Sequence, residues 1–189
     1  MRILALDVSS HTGYSILEDE NLISYGKLEI PCGEDNSWPL GIHAWAKRTA
    51  KTVCELIEKT ECDIIVIERA NSSRFRSSQN YLDWVHGFLI DICLEKGYFS
   101  KVRYIDSAKW RKLCGIKLNS EQKKQNKLAR QANKAGTVHK VDGKRKGIVS
   151  KKHLALNMVN EKYGLQLKVK ENDQAESILL GLAYIKEPF

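Results

Sequence analysis

The stretch CDIIVIE, residues 62–68, allows few placements in a fold. Its aliphatic core, Ile64 to Ile67, is too short for a buried helix and fits a strand covered on both faces. The run then ends on a carboxylate, Glu68. The chain opens in the same way. RILALDV, residues 2–8, is a short aliphatic run that reaches Asp7, and KVRYID, residues 101–106, ends on Asp106. Strands buried on both faces need helices on each side, so these three segments predict a sheet inside an α/β domain.

The segments between them fit that frame. SSHTG after the first strand reads as a turn, with Gly13 free to take positive φ. Residues 14–17 and 22–30 read as two strands joined by the polar EDEN turn, giving an antiparallel meander with the first. After a loop at 31–37, Trp38, Ile42, Trp45, Thr49, Val53 and Leu56 recur at helical spacing over 38–59. A second amphipathic helix is predicted over 78–96, with Leu82, Val85, Leu89 and Ile92 on one face and Gly97 as its stop. Asp106 can cap a helix SAKWRKLC that Gly115 ends. Ser150 can cap a helix to about Tyr163, LQLKVK reads as a short extended piece, and NDQAESILLGLAYIK forms a closing helix. Strands in a meander followed by alternating helices and strands imply an α/β fold with a mixed sheet, three antiparallel strands plus parallel ones, flanked by helices.

Charge is divided unevenly. The 189 residues carry 31 Lys+Arg and 23 Asp+Glu, a net +8, yet residues 101–152 alone hold a net +14 and the rest sums to −6. A basic block of that density points to a polyanion, most often nucleic acid. Residues 117–149 are rich in Lys, Asn, Gln and Gly, and EQKKQNKLARQANKA has good helix formers but almost no apolar face. That segment is expected to be a mobile loop, or helical only when bound. The five cysteines, Cys32, Cys54, Cys62, Cys93 and Cys114, form no CxxC pair and sit near no His at zinc spacing. They read as small hydrophobes in a reducing compartment. No apolar run approaches membrane-spanning length, and the start is too soon acidic for a signal peptide, so a cytoplasmic protein with no membrane partner is expected.

Asp7 and Glu68 would point to one sheet edge if their strands are parallel neighbours. Asp173 and Glu176 stand three apart at the start of the closing helix and share a face. Taken singly, each has a plain structural use: a turn residue, an ion-pair partner of Arg69 or Arg74, an N-cap, a first-turn helix acid. Converging, the four would repel and raise one another's pKa, and a pair of divalent cations relieves that. Two such ions can activate a water and stabilise the leaving oxygen in phosphodiester cleavage.

LALDVSSHTGYSIL, IIVIERANSSRF, VRYIDSAKWRKLCG and NDQAESILLGLAYI, in that order, resemble the motifs of the RuvC-type Holliday junction resolvases within the RNase H-like superfamily. The motifs lie within 1–115 and 150–185. The resemblance implies a single RNase H-like nuclease domain over 1–189 with a basic insertion at about 117–149. It implies that Asp7, Glu68, Asp173 and Glu176 are catalytic acids binding two Mg²⁺, with Mn²⁺ as a substitute, and that Asp7 bridges the ions. Lys152 matches a basic residue near the scissile phosphate, and Phe75 resembles an aromatic that contacts bases near the junction. Arg74, Arg76, Lys109, Arg111, Lys112, Lys123, Lys124, Lys127, Arg130, Lys144, Arg145, Lys146 and Lys151 are the candidate DNA contacts. The implied protein is a homodimer that cleaves four-way junctions and other branched DNA in a bacterium or a phage-infected host cell.

The chain departs from the family at Asp7-Val8-Ser9, where Asp-Pro-Gly is common, and at Glu176, where many members have Asp. Its insertion is longer and more basic than in typical bacterial members, as in phage-encoded relatives. A nuclease for RNA–DNA hybrids and a branched-DNA-binding protein that does not cut are the alternatives. His11, near Asp7, and His153, beside Lys152, are placed to assist a proton transfer, although surface or core packing is the commoner use of such residues.

Overall fold

A computed structural model describes residues 1–33, 37–70, 76–141, 144–145 and 147–189. Five strands form the main sheet: β1 (Arg2–Asp7), β2 (His11–Glu18), β3 (Asn21–Glu29), β4 (Ile64–Glu68) and β5 (Val102–Ile105), in the order β3-β2-β1-β4-β5. β1, β2 and β3 pair antiparallel, while β1–β4 and β4–β5 pair parallel. This is the mixed sheet that the segment order predicts, an antiparallel meander of three strands joined to parallel ones.

The aliphatic runs of β1 and β4 are buried on both faces because helices cover both. On one side α1 (Leu40–Thr60) and α2 (Arg76–Glu95) pack over Leu4, Leu6, Ile65 and Ile67. On the other, α3 (Ser107–Leu113), α5 (Lys151–Tyr163) and α6 (Asn172–Lys186) pack over Ile3, Ala5, Leu17 and Val66. α6 is buried from Ala175 through Tyr184, which explains its near-continuous apolar sequence.

Three expectations are corrected. SSHTG is not a five-residue turn: β2 begins at His11, and Gly13 pairs with Asp7 inside the ladder without positive φ. A Cβ at Gly13 would stand 2.1 Å from the Asp173 carbonyl oxygen, so close approach, not turn geometry, requires this glycine. LQLKVK is not extended throughout, because its last two residues enter a turn of 3₁₀ helix at Val169–Glu171. Third, the basic segment contains a helix and is not loop throughout: α4 (Ser120–Lys134) is capped by reciprocal Asn119 and Gln122 hydrogen bonds. The capping box supplies the local start signal that the missing apolar face does not. The short pair β6 (Lys140–Val141) and β7 (Lys144–Arg145) follows it.

Replacing Gly13 by Ala must push α6 away from β2. We expect Gly13→Ala to cost about 1–3 kcal/mol, read as a lower urea midpoint. Gly87→Ala, on a helix position with open space around it, is expected to be neutral or stabilising by up to about 1 kcal/mol.

Candidate metal centre and nucleic-acid interface

β1 and β4 run parallel with Leu6 beside Ile67, so Asp7 and Glu68 emerge at the same sheet edge. α6 starts at that edge because its N-terminal turn rests on Gly13, the ladder partner of Asp7. Ser15 Oγ donates to the Ser177 carbonyl at 3.0 Å and fixes the helix along the strand. Asp173 and Glu176 therefore face Asp7. One carboxylate oxygen from each of Asp7, Asp173 and Glu176 lies within 4.8 Å of the others, an arrangement able to hold a metal ion. These are oxygen donors only, the set that suits Mg²⁺ or Mn²⁺ over softer metals.

Glu68 borders this group and does not complete it. Its Oε2 accepts a 2.7 Å hydrogen bond from Trp110 Nε1, and Trp110 is fully buried. The next residue, Arg111, donates from Nη2 to Glu176 Oε1 at 2.6 Å, with its guanidinium 4.7 Å from the Trp110 ring centre. Two consecutive residues of α3 thus hold acids from β4 and α6. Sequence reading singled out neither for this role. Arg111 was expected to contact DNA, but it is half-buried and turned inward onto Glu176.

Lys152, in the first turn of α5, brings its ammonium to 3.5 Å from Glu176 Oε2 and 3.7 Å from Asp173 Oδ1. Its helix start is fixed by reciprocal capping between Ser150 and His153. His153 is thereby engaged at the cap, and His11 makes a 3.1 Å contact with Ser10 Oγ. Neither joins the acidic group.

Electrostatics single out Asp7. Burial pushes its carboxyl well above the usual carboxylate range, and Glu68, Glu176 and Asp173 add to the effect while Lys152 opposes it. A cation among these acids would relieve the strain that burial and like charge impose.

The other candidate DNA contacts are dispersed. Lys123, Lys127 and Arg130, with Lys134, line a groove of about 410 Å³ along α4. Lys124 and Lys151 are exposed nearby in sequence, on α4 and at the start of α5. Lys112 is exposed on α3, and Lys109 pairs with Glu187 at 3.2 Å. Arg76 is exposed at the first residue of α2. Arg74, Phe75 and Lys146 lie outside the described residues, and Lys144 and Arg145 are described in backbone alone. No helix among the described residues is long and apolar enough to cross a membrane.

No protein-family model matches the chain, and no curated protein does. Solved structures do. RuvC of T. thermophilus in complex with a Holliday junction substrate superposes with a TM-score of 0.59 at 13% identity, over 97% of this chain and 94% of that one. A second Thermus thermophilus RuvC structure gives 0.56 at 16% identity, over 97% and 95%. The yeast mitochondrial Holliday junction resolvase Ydc2 gives 0.55 at 10% identity, over 98% and 78%. The chain has the fold of these proteins.

Burial of Asp7, reinforced by repulsion from its neighbouring acids, has a measurable consequence for stability. An acid whose carboxyl is raised by folding adds no penalty at low pH, where folded and unfolded chains are both protonated. As pH rises past the unfolded value of about 3.9, the unfolded chain ionises first and the folded state loses ground. Asp7→Asn is therefore expected to stabilise the metal-free protein at neutral pH by about 0.5–2 kcal/mol in urea denaturation, with the gain vanishing towards pH 3.

Proposed function

We propose that the chain is a metal-dependent endonuclease that hydrolyses phosphodiester bonds in four-way DNA junctions and in other branched DNA. The observation that carries this reading is the convergence of Asp7, Asp173 and Glu176 within 4.8 Å, at the edge where Glu68 also emerges. It is supported by the fold held in common with RuvC and Ydc2, whose names tie them to Holliday junctions.

Asp7, Glu68, Asp173 and Glu176 would hold two Mg²⁺, with Mn²⁺ able to replace them. When bound, such a pair supplies an activated water and stabilises the leaving oxygen. The residues of the chain do the rest. Trp110 and Arg111 orient Glu68 and Glu176 through their hydrogen bonds. Such supporting contacts set ligand geometry as strongly as the ligands themselves. Lys152 stands beside the acids, where its ammonium would neutralise charge developing on the phosphate. The basic stripe of α4 would hold the DNA backbone. Because a four-way junction is resolved by two cuts on opposed strands, we further read the active form as a homodimer. This reading places the protein in the cytoplasm of a bacterium or a phage-infected host.

A panel of labelled four-way junction, fork, duplex and RNA–DNA hybrid, each with and without Mg²⁺, tests the reading. We expect Mg²⁺-dependent cutting of the junction, weaker cutting of the fork, and intact duplex and hybrid. A junction that is bound and left whole would sink it. Asp7→Asn should abolish cleavage and retain binding. Replacing Lys123, Lys127 and Arg130 together by Ala should flatten the logarithmic salt dependence of binding by about 0.9 for each phosphate contact removed. An unchanged slope would move the DNA surface elsewhere.

A further inference from the structure

α4 exposes nearly all of its length, and only Asn126 and Ala129 are buried on it. A helix with so little apolar surface cannot be fixed in place by burial alone. Asn126 supplies a different attachment. Its Nδ2 donates to the Val149 carbonyl at 2.7 Å, and the Val149 N–H donates to its Oδ1 at 2.8 Å. Both edges of one side-chain amide are thus engaged with both polar groups of one backbone residue. A further side-chain contact from α4, between Gln125 Oε1 and His139 Nε2 at 2.7 Å, leads to the segment that follows α4.

Val149 immediately precedes Ser150, the N-cap of α5. The capping box with His153 fixes the first turn, and Lys152 projects from that turn to Glu176 and Asp173. Asn126 also borders the groove lined by Lys123, Lys127, Arg130 and Lys134. Those four cations recur at spacings of four, three and four, a single helical stripe. The amide thus lies beside the stripe, at the edge of the groove the cations line, and reaches from there to Val149.

We propose that Asn126 is a positioning residue: its amide couples DNA held on the α4 stripe to the placement of Lys152 at the acidic site. The inference rests on the nuclease reading above and adds a partner to Lys152. Phosphates gripped by α4 fix that helix, the amide pair carries its position to Val149, and the capped turn sets the ammonium against the acids. Without the amide, α4 keeps its cations and its DNA, while the start of α5 loses its anchor.

The test uses full-length Asn126→Ala, Lys152→Ala and the double variant. Single-turnover cleavage of a labelled four-way junction with Mg²⁺ is measured beside junction affinity across a salt series without divalent metal. We expect each single variant to cut at least about 10-fold more slowly. The double variant should cut no more slowly than Lys152→Ala, since Asn126 acts through that residue. Affinity and salt slope of Asn126→Ala should stay within about two-fold of the parent, because no phosphate contact is removed. Asn126→Asp, which is isosteric and retains the oxygen that accepts from the Val149 N–H, carries the same rate comparison if the Ala variant melts below the assay temperature, and is expected to fall between. Rate losses that multiply in the double variant would overturn the proposal. So would a normal rate in either single variant, or binding that weakens in step with the rate. A parent protein that binds the junction and never cuts it would sink the nuclease reading itself. A cutting parent with a normally active Asn126→Ala removes this inference alone.

Discussion

The closeness of α6 to β2 is the constraint on which the rest depends. The helix can lie where it does because Gly13 carries no side chain against the Asp173 backbone. Gly181 performs the same service further along, where a Cβ would stand 2.4 Å from Leu17 Cδ1 and 3.3 Å from the Ala5 Cβ. Between them Ser15 Oγ donates to the helix backbone at Ser177. A line of small residues therefore seats a helix that is buried over ten successive positions. Burial of that much apolar surface, at roughly 25 cal/mol per Å², far exceeds what a few ion pairs provide. The hydrophobic core, not electrostatic attraction, brings Asp173 and Glu176 to Asp7.

The acids are accordingly held together against their own repulsion. Asp7 records this in a carboxyl raised by burial and by three neighbouring carboxylates. What opposes the repulsion is specific. Lys152 lies between Asp173 and Glu176, Arg111 closes on Glu176, and Trp110 donates to Glu68. Keeping several like charges in place costs stability, so the arrangement persists only because the surrounding core holds it. The stacked Trp110–Arg111 pair is what makes the arrangement definite. Without it, Glu176, almost wholly buried, would keep only the half-exposed Lys152 as an ion-pair partner among the described residues.

Much of this was legible in the amino-acid sequence, and the reasons are physical. Aliphatic runs ending on Asp7 and Glu68 identify two-sided strands, and their parallel pairing brings both acids to one sheet edge. Asp173 and Glu176 at a three-residue spacing identify a shared helix face. Gly13 was misread because a turn and a close approach place the same demand on composition. Only the packed helix distinguishes them. Trp110 and Arg111 were missed as holders of the acids because their signal lies in pairs 42 and 65 residues apart. Periodicity and spacing report on local neighbours, and a cationic residue inside a basic block reads as a DNA contact when nothing local says otherwise. For the same reason the segment of α4 reads in sequence as a mobile loop or as a helix formed only on binding. Its cap is local and readable, while the Asn126–Val149 pair that docks it spans 23 residues.

That docking follows from the division of charge along the chain. The net +14 of residues 101–152 has to remain at the surface, because burying unpaired charge is costly. Its helix therefore cannot carry the apolar stripe that would pin it to the core. A single buried apolar residue would hold α4 loosely, since hydrophobic contact has no direction and tolerates sliding. A side-chain amide bonded at both edges has one orientation, and leaving its partners unpaired costs about 1–3 kcal/mol. Asn126 therefore gives a polar helix a defined position at the expense of one buried side chain. The residue it grips is next to the cap that aims Lys152, so the contact that holds the basic helix also bears on the orientation of the ammonium at the acids.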